Sequence, residues 1–248
     1  MHVPSDIPRN GYYLPPENLQ TQLNLKKISE WTEENQMLLN KKKTKTMNFN
    51  FTNNFQFSSR LSIQGEEIET IRETKLLGVM ITNNLSWDLN TEFIVKRANA
   101  RLRILHKLVS FSVPVEDLIT IYILYIRSVL EQACQVWHSS LTFENLTDLE
   151  RIQKNALKII LNDEYVSYEN ALEKVNLECL VERRENLCLK FAKTTLKNEH
   201  MKNMFPPNDV IYPLDTRGRE KFRVTMAHTE RLKRSSIPYM QRLLNLND

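Results

Sequence analysis

The side chains that carry most enzyme chemistry are thinly spread in this chain. Its five histidines, His2, His106, His138, His200 and His228, lie far apart, and no HExxH pair is present to hold zinc. His228-Thr229-Glu230 has the local spacing of two ligands in a non-haem iron triad. The third ligand, a histidine, would have to lie downstream and none follows, so the tripeptide reads as a solvated stretch. Two-metal phosphoryl transfer needs carboxylates a few ångströms apart, yet no adjacent Asp-Asp pair occurs. Glu66, Glu67 and Glu69 cluster at a hairpin and read as a solvated turn, while Glu116-Asp117 fits the start of a helix, where the macrodipole favours anions. With four glycines there is no GxGxxG, GxxxxGK[ST] or GxSxG stretch. No cofactor and no small-molecule substrate is indicated.

Charge is the next chemical resource, and it is unevenly placed. Residues 1–180 hold 20 basic and 22 acidic side chains, whereas 181–248 hold 14 and 8, so the net +4 comes from the C-terminal end. There Arg217, Arg219, Lys221, Arg223, Arg231, Lys233, Arg234 and Arg242 face Glu220 and Glu230. That asymmetry fits contact with a polyanion, or a solubilising tail. A second basic knot, Lys41, Lys42, Lys43 and Lys45, sits at a helix-to-strand corner. Three cysteines without CxxC spacing, Cys134, Cys179 and Cys188, point to a reducing interior, in nucleus or cytoplasm. The apolar run from Leu118 to Ile126 is less than half of the roughly 20 residues a membrane span needs, so no membrane partner is expected.

The elements that must position these groups are mostly helices. Residues 1–18 form a proline-rich extended leader. Residues 19–90 read as a small α+β unit. Leu19, Leu23, Leu25, Ile28 and Trp31 recur at helical spacing, then "TKTMNFNF", "RLSIQGEEIET" and "TKLLGVMIT" have strand character. The alternation in the first of these carries Met47 and Phe49 inward, and the second folds at Gln64-Gly65. Residues 91–200 read as a helical bundle. One helix buries Ile94, Val95, Ala98, Leu102, Leu105 and Val109 and turns Lys96, Arg103 and Lys107 outward. The next, from Pro114 to Trp137, is apolar nearly all round; Thr142 and Ser167 cap two more, and a last long one covers 180–197. Residues 201–248 read as a loop and basic tail. The fold class is therefore mainly α, with a small α+β part ahead of the bundle.

Six pieces in order carry a resemblance: "LQTQLNLKKISEWTEENQMLLNKKKTKTMNF", "KLLGVMITNNLSW", "IYILYIRSVLEQACQVWHSSL", "LERIQKNALKII", "LECLVERRENLCLKFA" and "SSIPYMQRLLN". Together they resemble the C-terminal part of non-LTR, LINE-like retrotransposon reverse transcriptases, from the end of the palm through the thumb. The resemblance covers nearly the whole chain. It implies that residues 19–90 are a palm remnant, that Leu76, Leu77 and Gly78 lie where the primer-grip hairpin supports the primer terminus, and that the bundle is thumb-like and follows RNA or an RNA–DNA duplex. Lys96, Arg103, Lys107, Arg217, Arg219, Arg231, Lys233 and Arg234 are then the candidates for phosphate contact. The family's metal is magnesium, held by a Tyr/Phe-x-Asp-Asp stretch that precedes the first of these pieces and is missing from this chain.

The resemblance thus leads to a truncated RNA-directed DNA polymerase with, at most, nucleic-acid binding left. A non-catalytic helical protein-interaction module is the alternative. The segment around Trp31 and Thr44 is also similar to a small module named after the N-terminus of an AlkB-like tRNA-modifying oxygenase, but no iron triad accompanies it. Primer extension on an RNA template with purified chain and magnesium is expected to yield no DNA. Measurable synthesis would overturn the reading of a chain without polymerase carboxylates.

Overall fold

The structure, a computed structural model, describes residues 16–49, 51, 61–208 and 221–247. Most of the expected leader, most of the loop after Pro207, and Arg217 and Arg219 lie outside these residues. The chain divides into two compact units. One holds the described residues up to Leu76 with Ile81–Ser86, the other Leu77–Met80 and the described residues from Trp87 on.

The first unit opens with helix α1, Pro16–Glu34. Hairpin β1, Ser62–Ile63, and β2, Glu66–Glu67, turns at Gln64 (φ 51°) and Gly65 (φ 81°), as the Gln-Gly step predicts. A side-chain amide links helix to strand: Gln22 Nε2 donates to the Ser62 carbonyl (2.8 Å) and Gln22 Oε1 accepts from the Ser62 N–H (3.0 Å). Gln22 thereby satisfies both backbone groups of a strand residue. Leu61, Ile63 and Ile68 are buried, with Leu25 and Leu39 packed on them.

The expected apolar face of α1 is only partly covered. Leu23, Ile28 and Trp31 are each about half exposed, and Phe49 is exposed rather than carried inward. The reason is topological. The segment around Met47 contributes an isolated parallel bridge, Thr46 to Thr70, rather than a strand with a covered face. The third expected strand is itself a two-stranded hairpin, β3, Glu73–Leu76, and β4, Val79–Thr82.

The second unit is helical. Helix α2, Asp88–Ser110, buries Ile94, Ala98, Leu102 and Leu105 as predicted, while Val95 and Val109 are half-buried. The apolar segment after Pro114 is not one regular helix. It runs as α3, Val115–Ile121, a π-helical stretch Tyr122–Arg127, and α4, Ser128–Glu131, and then breaks at Ala133 (φ 52°) before α5, Cys134–Trp137. Among its buried residues, Leu118, Tyr122, Ile126, Leu130 and Cys134 are spaced by four. In a pure α-helix that spacing drifts by about 40° per step. The wider π turn rotates less per residue and offsets the drift, keeping the row against the core. The opposite side stays outside, with Leu124 70% exposed, so the segment is not buried all round.

Helix α6, Phe143–Leu161, starts where Thr142 Oγ1 accepts from the Asn145 N–H (3.2 Å) and packs along α2. Helix α7, Tyr168–Val175, is capped by Ser167 in the same way, and α8 covers Leu180–Leu196. Within the segment read as a loop and basic tail, Ser236–Leu246 is a packed helix. After α9, Glu230–Lys233, helix α10, Ser236–Leu246, lays Met240, Leu243 and Leu244 against Cys188, Ala192, Phe205 and Phe222. Gln241 accepts from the Thr225 N–H (2.8 Å), and Asn245 both accepts from the Phe222 N–H (2.9 Å) and donates to its carbonyl (3.0 Å). Two amides one turn apart clasp this extended segment, which also pairs Phe222 with Pro207 in an isolated antiparallel bridge. Among the described residues no helix is long and apolar enough to cross a membrane.

An unusual charge lies inside this unit. Arg184 on α8 is fully buried; its Nε donates to His138 Nδ1 (3.3 Å), its guanidinium sits 5.8 Å from the Trp137 ring centre, and Nη1 and Nη2 have no hydrogen-bond partner among the described residues. Burial, and then the positive Arg184, pull the pKa of His138 down to about 4 from 6.5. The unfolded chain therefore takes up this proton first as pH falls. The stability contributed by neutral His138 is complete above pH 6.5 and is lost as pH drops toward 4, by on the order of 3 kcal/mol. His138→Asn keeps an acceptor for Arg184 but cannot titrate. Urea unfolding at pH 7, 5.5 and 4.5 is expected to show a flatter profile for the variant; identical profiles would count against this account.

Candidate nucleic-acid interface

From Phe93 to Ser110 helix α2 carries Lys96, Arg97, Arg101, Arg103 and Lys107 and no carboxylate. Successive residues turn by about 100°, so Lys96, Arg103 and Lys107 fall within about 40° of one another around the axis, roughly opposite the buried row of Ala98 and Leu105. All three are exposed. At 1.5 Å per residue the row is about 16 Å long. The structure therefore places these three residues together as the sequence predicted.

The two flanks of this row differ. Toward α6 an open groove of about 400 Å³ is lined by Arg103, His106 and Lys158 with the amides of Asn99 and Asn155, over Leu102 and Ile159. No carboxylate lines it, and amides with cations suit phosphate oxygens. The opposite flank is aromatic as well as basic. Arg97 lies over the Phe93 ring (5.3 Å to its centre), and Arg101 lies over the Tyr125 ring (4.2 Å) and donates to the Tyr125 carbonyl. Arg97, Arg101, His106 and Lys158 were not singled out by the sequence reading. The i, i+4, i+8 recurrence of Phe93, Arg97 and Arg101 was visible in it, but the approach of Tyr125 depends on the π-helical stretch.

The C-terminal candidates stand differently. Arg234 donates from Nη2 to the Leu141 carbonyl, while its own carbonyl accepts from Ser140 Oγ (2.9 Å). Its guanidinium helps to dock the segment before α10, while the side chain stays exposed. Lys233 is exposed and 3.5 Å from Glu230, a weak ion pair at such exposure. Arg231 is exposed on α9. The knot at residues 41–45 is partly neutralised: Lys41 pairs with Glu66 (2.9 Å) and Lys45 with Glu69. This also accounts for two of the three clustered glutamates. His228 and Glu230 flank Thr229, whose hydroxyl caps α9 by accepting from the Leu232 N–H (3.2 Å).

Leu76, Leu77 and Gly78 form the end of the β3–β4 hairpin. Leu77 is 91% exposed at φ 49°, Gly78 has φ 90°, and Leu76 is exposed. A β-carbon on Gly78 would lie 2.4 Å from Gln132 Nε2. Gln132 Oε1 in turn accepts from Arg97 Nη1 (3.4 Å), so the turn, the break between α4 and α5, and α2 meet at one amide. No protein-family model, no curated protein and no solved structure matches the chain.

Gly78→Ala meets two obstacles, the left-handed backbone and the Gln132 amide. The amide can swing aside, whereas the backbone strain stays and costs about 1–2 kcal/mol. Thermal unfolding is expected about 2–8 °C lower than for the parent chain. An unchanged melting temperature would show that the turn does not hold residue 78 in the left-handed conformation.

Proposed function

We propose that this chain is the palm-end and thumb part of a non-LTR retrotransposon reverse transcriptase, and that it holds nucleic acid inside the cell, in nucleus or cytoplasm, without itself performing DNA synthesis. The observation that carries the binding half is the exposed row of Lys96, Arg103 and Lys107 on a helix face with no carboxylate from Phe93 to Ser110. A row of separated cations recognises a polyanion by charge, and RNA or an RNA–DNA duplex is the partner that the order of the six sequence pieces implies. The half-exposed Leu23, Ile28, Trp31 and Phe49 of the first unit also suit an α+β layer that packs on further polymerase structure.

Among the described residues no group of three or more His, Cys, Asp or Glu side chains is placed to hold magnesium. Glu66 and Glu69 are committed to Lys41 and Lys45, and Glu116 and Asp117 sit in the first turn of α3, where the helix end accounts for them. Catalysis of phosphoryl transfer is therefore not part of the proposal, and neither is oxygenase chemistry.

Each phosphate neutralised on a duplex adds about 0.9 to the slope of log affinity against log salt. Replacing Lys96, Arg103 and Lys107 together by alanine is expected to weaken binding of an RNA–DNA duplex and to lower that slope by about 3. All three side chains are exposed, so circular dichroism should be unchanged. Binding that ignores ionic strength, together with a stable oligomer, would instead favour the helical interaction module.

A further inference from the structure

The aromatic flank of α2 is unused by a purely electrostatic contact. Phe93, Arg97, Arg101 and Ile104 lie about 60–140° round the helix from the Lys96 row, and Arg101 and Tyr125 form a stacked pair there. Tyr125 is 42% exposed although its guanidinium partner lies over its ring, and Leu124 beside it is 70% exposed. The π-helical stretch keeps Tyr122 and Ile126 in the core and leaves this pair outside. Nothing in the core requires an aromatic ring at 125, since its side chain is not buried.

With helix diameters of about 10–12 Å including side chains, the two strips run parallel at a separation on the order of 8–9 Å. One is all charge; the other is flat and apolar with guanidinium planes. A backbone lying on the first would place its bases over the second. In a duplex each base face is already stacked on its neighbours, so the second strip adds nothing to the phosphate contacts. In a single strand the faces are free, and stacking on aromatic rings and guanidinium planes is sequence-tolerant.

We infer that the α2 face binds single-stranded nucleic acid, with Lys96, Arg103 and Lys107 on the phosphates and the Tyr125–Arg101 pair as a base-stacking platform. This rests on the nucleic-acid reading above and specifies its substrate. Three phosphates on a single strand give a salt slope of about 2. Loss of one stacked base weakens binding by about 5- to 100-fold.

The test compares oligouridylate of 12 nucleotides, an abasic phosphodiester strand of the same length, and an RNA–DNA duplex. The full chain is used at several salt concentrations, with Tyr125→Ala, Tyr125→Phe and Arg101→Ala beside it. The unaltered chain is expected to bind oligouridylate at least 5-fold more tightly than the abasic strand. Tyr125→Ala closes that gap with the salt slope retained, and Tyr125→Phe preserves it. Salt-dependent binding in which the abasic strand equals oligouridylate overturns the stacking platform and leaves the phosphate row standing. Absence of salt-dependent binding to all three probes overturns both.

Discussion

Gln153 is shut off from solvent, and its amide must therefore find its hydrogen bonds inside the second unit. Its Oε1 accepts from the Tyr122 hydroxyl (2.6 Å), and its Nε2 donates to the Tyr168 hydroxyl (2.9 Å) and to the Glu178 carbonyl (2.9 Å). Tyr168 passes its own proton toward Glu150, which also accepts the Leu180 N–H (3.0 Å) at the start of α8. One side chain on α6 thus fixes the π-helical stretch, α7 and the approach to α8. Burial pushes both phenols far above their ordinary range, so they remain protonated donors. In an apolar interior an unmade bond here would cost about 1–3 kcal/mol, which restricts the helices to the arrangement that makes all of them.

What stands on the surface follows from that core. Tyr122 must face Gln153 and Ile126 must face the core, and the wider turn that allows both leaves Leu124 and Tyr125 outside, beside Arg101. On α2 the burial of Ile94, Ala98, Leu102 and Leu105 similarly dictates which cations point away. The basic row and the aromatic flank are therefore consequences of packing. Their chemistry, charge for phosphates and flat rings for bases, is separable because about a quarter turn of helix stands between them.

A good deal of this was legible in the sequence. Thr142 and Ser167 are capping residues at the predicted positions because a short hydroxyl can accept an otherwise orphan N–H. The buried stripe of α2 follows from helical periodicity. The Gln64-Gly65 turn takes positive φ at both residues, and the glycine marks it, whereas the Leu77-Gly78 turn lies inside a segment whose residue pattern reads as one strand. Less legible were features made by contacts distant in sequence. Arg234 donates one guanidinium N–H to the Leu141 carbonyl, 93 residues away. The basic C-terminal segment folds as α10 because Gln241 and Asn245 clasp residues 222–225, a use of amides that composition does not reveal.

The sequence by itself determined the mainly helical class, the caps, the Gln64-Gly65 turn and the outward row of Lys96, Arg103 and Lys107, since each rests on local geometry or on a period of 3.6 residues. Only the tertiary structure decided that the segment after Pro114 takes a π-helical stretch, that Tyr125 meets Arg101, and that a fully buried Arg184 leans on neutral His138. Those outcomes depend on which buried groups must satisfy one another across the fold. Residue order states that pairing only indirectly.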